Sequence, residues 1–182
     1  MTERKTITQE YLKSRLNYDP DMGIWRWLPK PELSRHDRAW NSRRAGKIAG
    51  MSVKRYIQIR IDGTAYYAHR LAVIYMLGRD PNGDVDHINR KRHDCRWRNL
   101  REAPSRSHNM VNAGRRADNT GGHRGITWRA GHWLWIPGRW RATVQFRGKM
   151  HHLGYFKNKQ DAVTAYRKRA TELFGEYANF TE

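Results

Sequence analysis

Three stretches of the chain carry residues suited to joint acid–base and metal chemistry: Val85-Asp86-His87-Ile88-Asn89, Arg98-Asn99-Leu100-Arg101 and Ser105-Arg106-Ser107-His108-Asn109. Eleven residues separate His87 from Asn99, and eight separate Asn99 from His108. A strand ending at Asp86-His87, a return strand near Leu100 and a helix opening at Ser105 would bring Asp86, His87 and His108 together. A carboxylate and an imidazole there could hold a divalent ion. A second imidazole beside them could take a proton from water. His69 lies in an apolar stretch and reads instead as a packed or hydrogen-bonded histidine. Cys95 is the lone cysteine. It has no partner for an internal disulfide or for a Cys-x-x-Cys site, so no structural zinc is expected.

A second set of residues is suited to holding an anion. Over Arg139–Arg147, Trp140, Ala142, Val144 and Phe146 alternate with Arg139, Arg141, Thr143, Gln145 and Arg147. Period two is the signature of a half-buried strand, here with one apolar face and one cationic, hydrogen-bonding face. Such a ribbon fits the major groove of a duplex.

The charge balance agrees. Of 182 residues, 36 are Lys or Arg and 17 are Asp or Glu, a formal net charge of +19. The excess runs along the whole chain, with 23 basic against 12 acidic residues in 1–113 and 13 against 5 in 114–182. An enzyme of small neutral metabolites has little use for this imbalance, whereas a polyanion is attracted by it. Eight Trp and nine Tyr distinguish the chain from a disordered basic tail. No run of eighteen apolar residues and no apolar leader core is present, so the expected setting is cytoplasmic, with no membrane partner.

The elements that must position these residues follow from local pattern. Thr8 caps a predicted helix to about Leu16, Asp19–Gly23 reads as a turn, and Ile24–Trp27 as a short strand. Residues 29–50 show no period and are expected to be loop. Residues 53–67 read as a hairpin turned by Asp62-Gly63, and residues 68–77 as a mostly buried helix stopped by Gly78. Residues 112–122 carry no apolar anchor larger than alanine and read as a linker. Strands are expected over Arg124–Arg129, Arg139–Arg147 and Lys149–Phe156, then a helix capped by Asn158 and ended by Gly175. The class is α+β.

Segment 69–112 resembles the His-Asn-His (HNH) nucleases of ββα-metal fold, especially phage-borne homing endonucleases. The matching residues are His69-Arg70-Leu71, Val85-Asp86-His87-Ile88-Asn89, Asp94-Cys95-Arg96, Asn99-Leu100-Arg101 and Ser107-His108-Asn109. The resemblance implies a nuclease domain within residues 1–111, with its core at about 83–111. It implies His87 as the general base and Asp86 and His108 as ligands of one divalent ion on the scissile phosphate. Asn99 would tie the loop between the strands and orient His87. The implied ion is Mg²⁺, with Mn²⁺ or Ni²⁺ able to substitute, and the implied products are 5′-phosphate and 3′-hydroxyl ends. Arg90 stands where the family usually has Gly.

Residues 123–182 resemble the APETALA-two or ethylene-response-factor DNA-binding domain. The resemblance rests on Arg124-Gly125-Ile126, Trp140-Arg141-Ala142, Leu153-Gly154-Tyr155-Phe156, Asp161–Tyr166 and Gly175 with Asn179-Phe180. It implies a three-stranded antiparallel sheet packed on one helix, with Arg124 and Arg129 matching arginines that contact DNA. Thr143, Gln145 and His152 stand where the family usually carries charged residues or tryptophan, and with Arg139 and Arg141 of the cationic strand face they complete the expected DNA contacts. The joint expectation is a site-preferring endonuclease of double-stranded DNA, acting as a monomer or weak dimer, in a host bacterial cytoplasm if phage-encoded. The alternatives are a restriction-type or structure-directed nuclease, and a DNA-binding regulator that does not cleave.

Overall fold

The computed structural model describes residues 7–105, 108, 111, 112, 119, 121–131, 137–178 and 180. The chain divides into two compact units, Met1–Glu102 and Ala103–Glu182.

In the first unit Thr8 caps α1 (Gln9–Arg15), its hydroxyl oxygen accepting from the Tyr11 N–H at 3.2 Å. Strands β1 (Leu16–Asp19) and β2 (Ile24–Trp27) pair antiparallel, and alternation turns Leu16, Tyr18, Trp25 and Trp27 inward. Strands β3 (Met51–Val53), β4 (Tyr56–Ile61) and β5 (Thr64–Tyr67) form a three-stranded meander. Its second turn is Asp62-Gly63, with φ of 46° and 82°, the two positive values that a tight hairpin requires. Helix α3 (Ala68–Leu77) buries Ala68, His69, Leu71, Ala72, Val73 and Ile74, and Gly78 ends it in the left-handed region. β6 (Asp84–His87) and β7 (Leu100–Ala103) form a two-stranded sheet. One hydrophobic cluster joins Leu12, Leu16, Tyr18 and Trp25 to Ile59, Leu71, Val85, Cys95 and Leu100. The N-terminal helix and hairpin therefore share a core with β6 and β7.

Residues 29–50 are not wholly loop. Arg35–Arg44 form a helix, α2, that buries no residue. Its start is set by Ser34, whose hydroxyl accepts from the Asp37 N–H at 3.1 Å and donates to the Asp37 carboxylate at 2.6 Å. That reciprocal cap makes a helix without any apolar period, the signal on which the loop expectation rested.

In the second unit β8 (Ile126–Arg129), β9 (Arg139–Phe146) and β10 (Lys149–Phe156) form an antiparallel sheet in the order β10-β9-β8. Helix α4 (Lys159–Phe174) packs on it through Ala162, Val163, Tyr166, Ala170 and Phe174, against Ile126, Ala142 and Val144. A Cβ on Gly125 would stand 2.3 Å from the Thr143 carbonyl oxygen and 2.5 Å from the Tyr166 ring, so only glycine allows β8 to enter here. His108, Val111 and Asn112 are helical, and Val111 joins the core of this unit. The division between units falls ahead of the 112–122 stretch expected as linker, of which 113–118 and 120 lie outside the described residues. Trp133 and Trp135 lie outside them too, as does Asn179.

Candidate active site and basic sheet

Asp86 and His87 end β6 and are almost fully buried, at 7% and 4% exposure. Burying a carboxylate requires a counter-charge. Arg101, on β7, supplies it: its Nε and terminal nitrogen donate to one Asp86 carboxylate oxygen at 3.2 and 3.0 Å.

The loop after His87 is closed by one amide. Asn99 Oδ1 accepts from the Asn89 N–H at 3.0 Å, and Asn99 Nδ2 donates to the Asp94 carbonyl at 2.8 Å. The Asn99 carbonyl takes the Ile88 N–H at 2.9 Å, and the His87 carbonyl takes the Arg90 N–H at 2.9 Å. Asp94 is fixed in turn by Asn89 Nδ2 at 2.6 Å and by Arg96, whose guanidinium holds its carboxyl well below the usual carboxylate range. Arg90 sits at φ 62° in this turn, a left-handed conformation that costs an L-residue roughly 1 kcal/mol. The far side of the loop rests on the β1–β2 hairpin. There Tyr18 Oη donates to the Cys95 carbonyl at 2.6 Å, and the Trp97 N–H donates to the Pro20 carbonyl at 2.8 Å. Gly23 leaves the space this approach needs, since a Cβ there would lie 2.4 Å from the Arg96 nitrogen.

The His87 ring meets His69 edge-on, with centroids 5.0 Å apart. Tyr56 and Tyr67 lie against His69 at 5.3 and 5.5 Å. Arg92 sits over Tyr56 at 5.2 Å. Burial, reinforced by the charge of His87 and then of Arg70, pushes the His69 imidazole down to about 3. Burial also lowers His87, against an opposing pull from Asp86 and Asp94. Both rings are thus held neutral near pH 7, the state in which an imidazole can accept a proton.

His108 belongs to the second unit. Its Nδ1 lies 2.8 Å from Ser105 Oγ, and its ring packs edge-on to Phe146, Phe174 and Tyr177 at 5.1–5.9 Å. The Ser105 contact at Nδ1 makes Nε2 the ring nitrogen available to a metal. Among the described residues, no group of three or more His, Cys, Asp or Glu side chains is gathered as a metal site. The donors expected from the sequence, one carboxylate and one imidazole, suit a hard or borderline divalent ion that keeps water and phosphate oxygens as its other ligands.

The outer face of the C-terminal sheet brings most of the expected DNA contacts together. Register pairs Arg139 with Arg129, Arg141 with Thr127 and Tyr155, Thr143 with His152, and Gln145 with Met150. A bulge between His152 and Gly154 shifts the strand, and the rings of His152 and Tyr155 approach to 4.9 Å. Arg141 Nε is buried with no hydrogen-bond partner among the described residues. Arg124 lies before β8, and its guanidinium donates to the Val111 carbonyl at 3.1 Å.

Spacing assigns no role at the first site to Arg101, which stands in a quoted motif, or to Tyr56 and Tyr67. Nothing in the spacing separates Arg101 from 35 other basic residues, and the two tyrosines reach the histidines only through the meander. One signal was available: a buried Asp at a strand end demands a cation nearby in space.

Residues 66–110 match the HNH endonuclease family, a quarter of the chain that spans α3, β6 and β7. The match supports a nuclease whose substrate is DNA and whose chemistry uses a divalent metal. No curated protein and no solved structure matches the chain. Among the described residues, no helix is long and apolar enough to cross a membrane.

Proposed function

We propose that the chain is a metal-dependent, site-preferring DNA endonuclease of homing-endonuclease type, in which a phosphodiester-cleaving unit is joined to a sheet that reads the major groove. The observation that carries this reading is the buried Asp86-His87 pair at the end of β6, with its loop closed by Asn99, inside the matched segment. His87 takes the proton of the attacking water, its ring flanked by His69 and Tyr56 and its backbone carbonyl held in the loop by the Arg90 N–H. Asp86 and His108 would hold the divalent ion, which when bound would supply Lewis-acid stabilisation of the charge that builds up on the phosphate. Arg101 pairs with the Asp86 carboxylate and aims it. Arg129, Arg139 and Arg141 grip the duplex while Thr143, Gln145 and His152 face the bases, with Arg124 acting at the sheet's margin. One catalytic set per chain fits a monomer that nicks a single strand, leaving 5′-phosphate and 3′-hydroxyl ends.

A second reading has its own support. The Asp86–Arg101 ion pair already satisfies one carboxylate oxygen, which favours a DNA-binding protein that does not cleave. End-mapping on a complex genomic DNA separates the two. Recurrent new 5′-phosphate ends made with Mg²⁺, lost with EDTA and lost in His87→Ala, establish the nuclease. Tight DNA binding by both proteins without new ends establishes the binding protein.

A further inference from the structure

The first unit carries a second basic surface, outside the matched segment and outside the C-terminal sheet. Among the described residues, Asn41 and Trp40 anchor helix α2. Asn41 exchanges hydrogen bonds with the Lys30 backbone at 2.8 and 2.9 Å, and Trp40 packs edge-on to Trp27 at 5.5 Å. No residue of the helix is buried, yet it displays Arg35, Arg38, Arg43 and Arg44 to solvent. Ordering ten residues is a cost that core packing offsets here through Trp40 alone among the helix's apolar side chains.

Between α2 and the β3–β4–β5 meander runs a groove of about 660 Å³. Arg15, Lys30, Arg43, Arg44 and Arg60 line it, with Asp62 the acidic exception. Asp62 already accepts a hydrogen bond from the Tyr11 hydroxyl. Among the described residues none of the five basic side chains is in an ion pair, and Arg15 Nε is buried without a hydrogen-bond partner. Arg15 and Lys30 both stand over the Trp40 ring, at 5.4 and 4.9 Å, so the indole holds two like charges at one wall of the groove. Five basic side chains, from α1, the loop at Lys30, α2 and β4, converge on one groove against a single carboxylate, and they define a site for a polyanion.

We propose that this groove binds the phosphodiester backbone of duplex DNA at a distance from the bond that is cut, as a clamp separate from the C-terminal sheet. The proposal rests on the reading of the chain as a DNA nuclease, which supplies the polyanion. Its contacts are to phosphate, so it adds affinity and orientation without adding sequence preference.

The test uses the full chain carrying His87→Ala, so that bound DNA stays intact, and a random-sequence duplex followed by fluorescence anisotropy across a salt series. Arg43→Gln, Arg44→Gln and Arg60→Gln together remove three exposed charges. The expected result is at least a tenfold weaker Kd and a salt slope shallower by about 2.7, near 0.9 for each lost phosphate contact. A control with Lys13, Lys157 and Lys168 changed to Gln should keep the slope. An unchanged slope in the groove variant, or an equal loss in the control, overturns the groove but leaves the nuclease reading standing. A parent protein with no salt-dependent DNA binding overturns both. Loss of single-stranded RNA binding with duplex binding intact also overturns the proposal. In the unaltered protein, bound duplex should shield Lys30 from acetylation, and equal acetylation with and without DNA overturns it without any variant.

Discussion

The rings of His69 and His87 meet edge-on at 5.0 Å, although one opens helix α3 and the other ends strand β6. The burial of these two rings makes stability depend on pH. The folded protein holds His69 at about 3 against 6.5 for an exposed imidazole, and His87 is lowered as well. Above 6.5 both folded and unfolded states keep His69 neutral and nothing is lost. As pH falls below 6.5 the unfolded chain takes up a proton at His69 that the folded one refuses, so stability drops down to about pH 3, by up to about 1.4 kcal/mol per pH unit, and the lowered His87 acts in the same direction. Urea midpoints between pH 7.5 and 4.5 should fall in the parent and fall less steeply in His69→Phe. Parallel curves would sink this account.

Asn99 closes the loop after His87 through two side-chain hydrogen bonds at 6% exposure. Asn99→Ala should cost about 2–3 kcal/mol, because the Asn89 N–H and the Asp94 carbonyl lose their partners together. Hydrogen exchange reads this locally, and the Asn89 amide should exchange faster than the Leu71 amide does in the same variant. Protection at Asn89 equal to that of the parent would mean the loop is held by something else.

Arg90 occupies the left-handed position of the turn after His87. Arg90→Gly should leave Tm within a few degrees of the parent, since relief of strain is offset by a freer unfolded chain. A β-branched side chain is far less tolerant there, and Arg90→Val should destabilise by about 1–2 kcal/mol. Thermal melts of the two variants check the ordering.

On the C-terminal sheet, Arg141→Gln and Gln145→Ala should separate affinity from selectivity. The arginine variant weakens binding to all duplexes alike and flattens the salt response. The glutamine variant keeps the salt response and loses preference for the mapped site, by about 1–3 kcal/mol at one base pair. The parent itself should lose about 10³–10⁵ in affinity between 50 and 200 mM salt if 6–10 phosphates are neutralised. Anisotropy titrations on specific and scrambled duplexes measure all three.

Gly125→Ala should cost about 2 kcal/mol or more. The added methyl meets the Thr143 carbonyl and the Tyr166 ring at a residue whose φ is 71°. Loss of DNA binding in proportion to the unfolded fraction, and no further, would place the effect in folding alone.

Much of this was legible along the chain because the signals were local. The apolar run of 68–77, the alternation of 139–146 and the Asp62-Gly63 turn each encode their element within a few residues. The Asp-His pair and Asn99 were legible as chemistry because few residue types can replace them. Helix α2 was not, since its cap outweighs a pattern with no period. The surroundings of His69 were not legible either, because Tyr56 and Tyr67 arrive from a sheet whose contacts with α3 are set by tertiary packing. The bulge at His152 was invisible for a related reason: alternation says which face a residue takes, not where the register slips.

The core shared by α1, the β1–β2 hairpin, β6 and β7 bears on how such a gene can be cut and rejoined. Residues 66–110 hold the recognisable signature, but Leu12, Leu16, Tyr18 and Trp25 bury the far side of its loop and sheet. Each large apolar side chain so buried contributes about 1.5–3 kcal/mol. A fragment trimmed to the signature would expose Val85, Cys95 and Leu100 and leave the Cys95 carbonyl without Tyr18. A piece that keeps this core intact has to carry residues 7–102 together, more than twice the length of the matched segment.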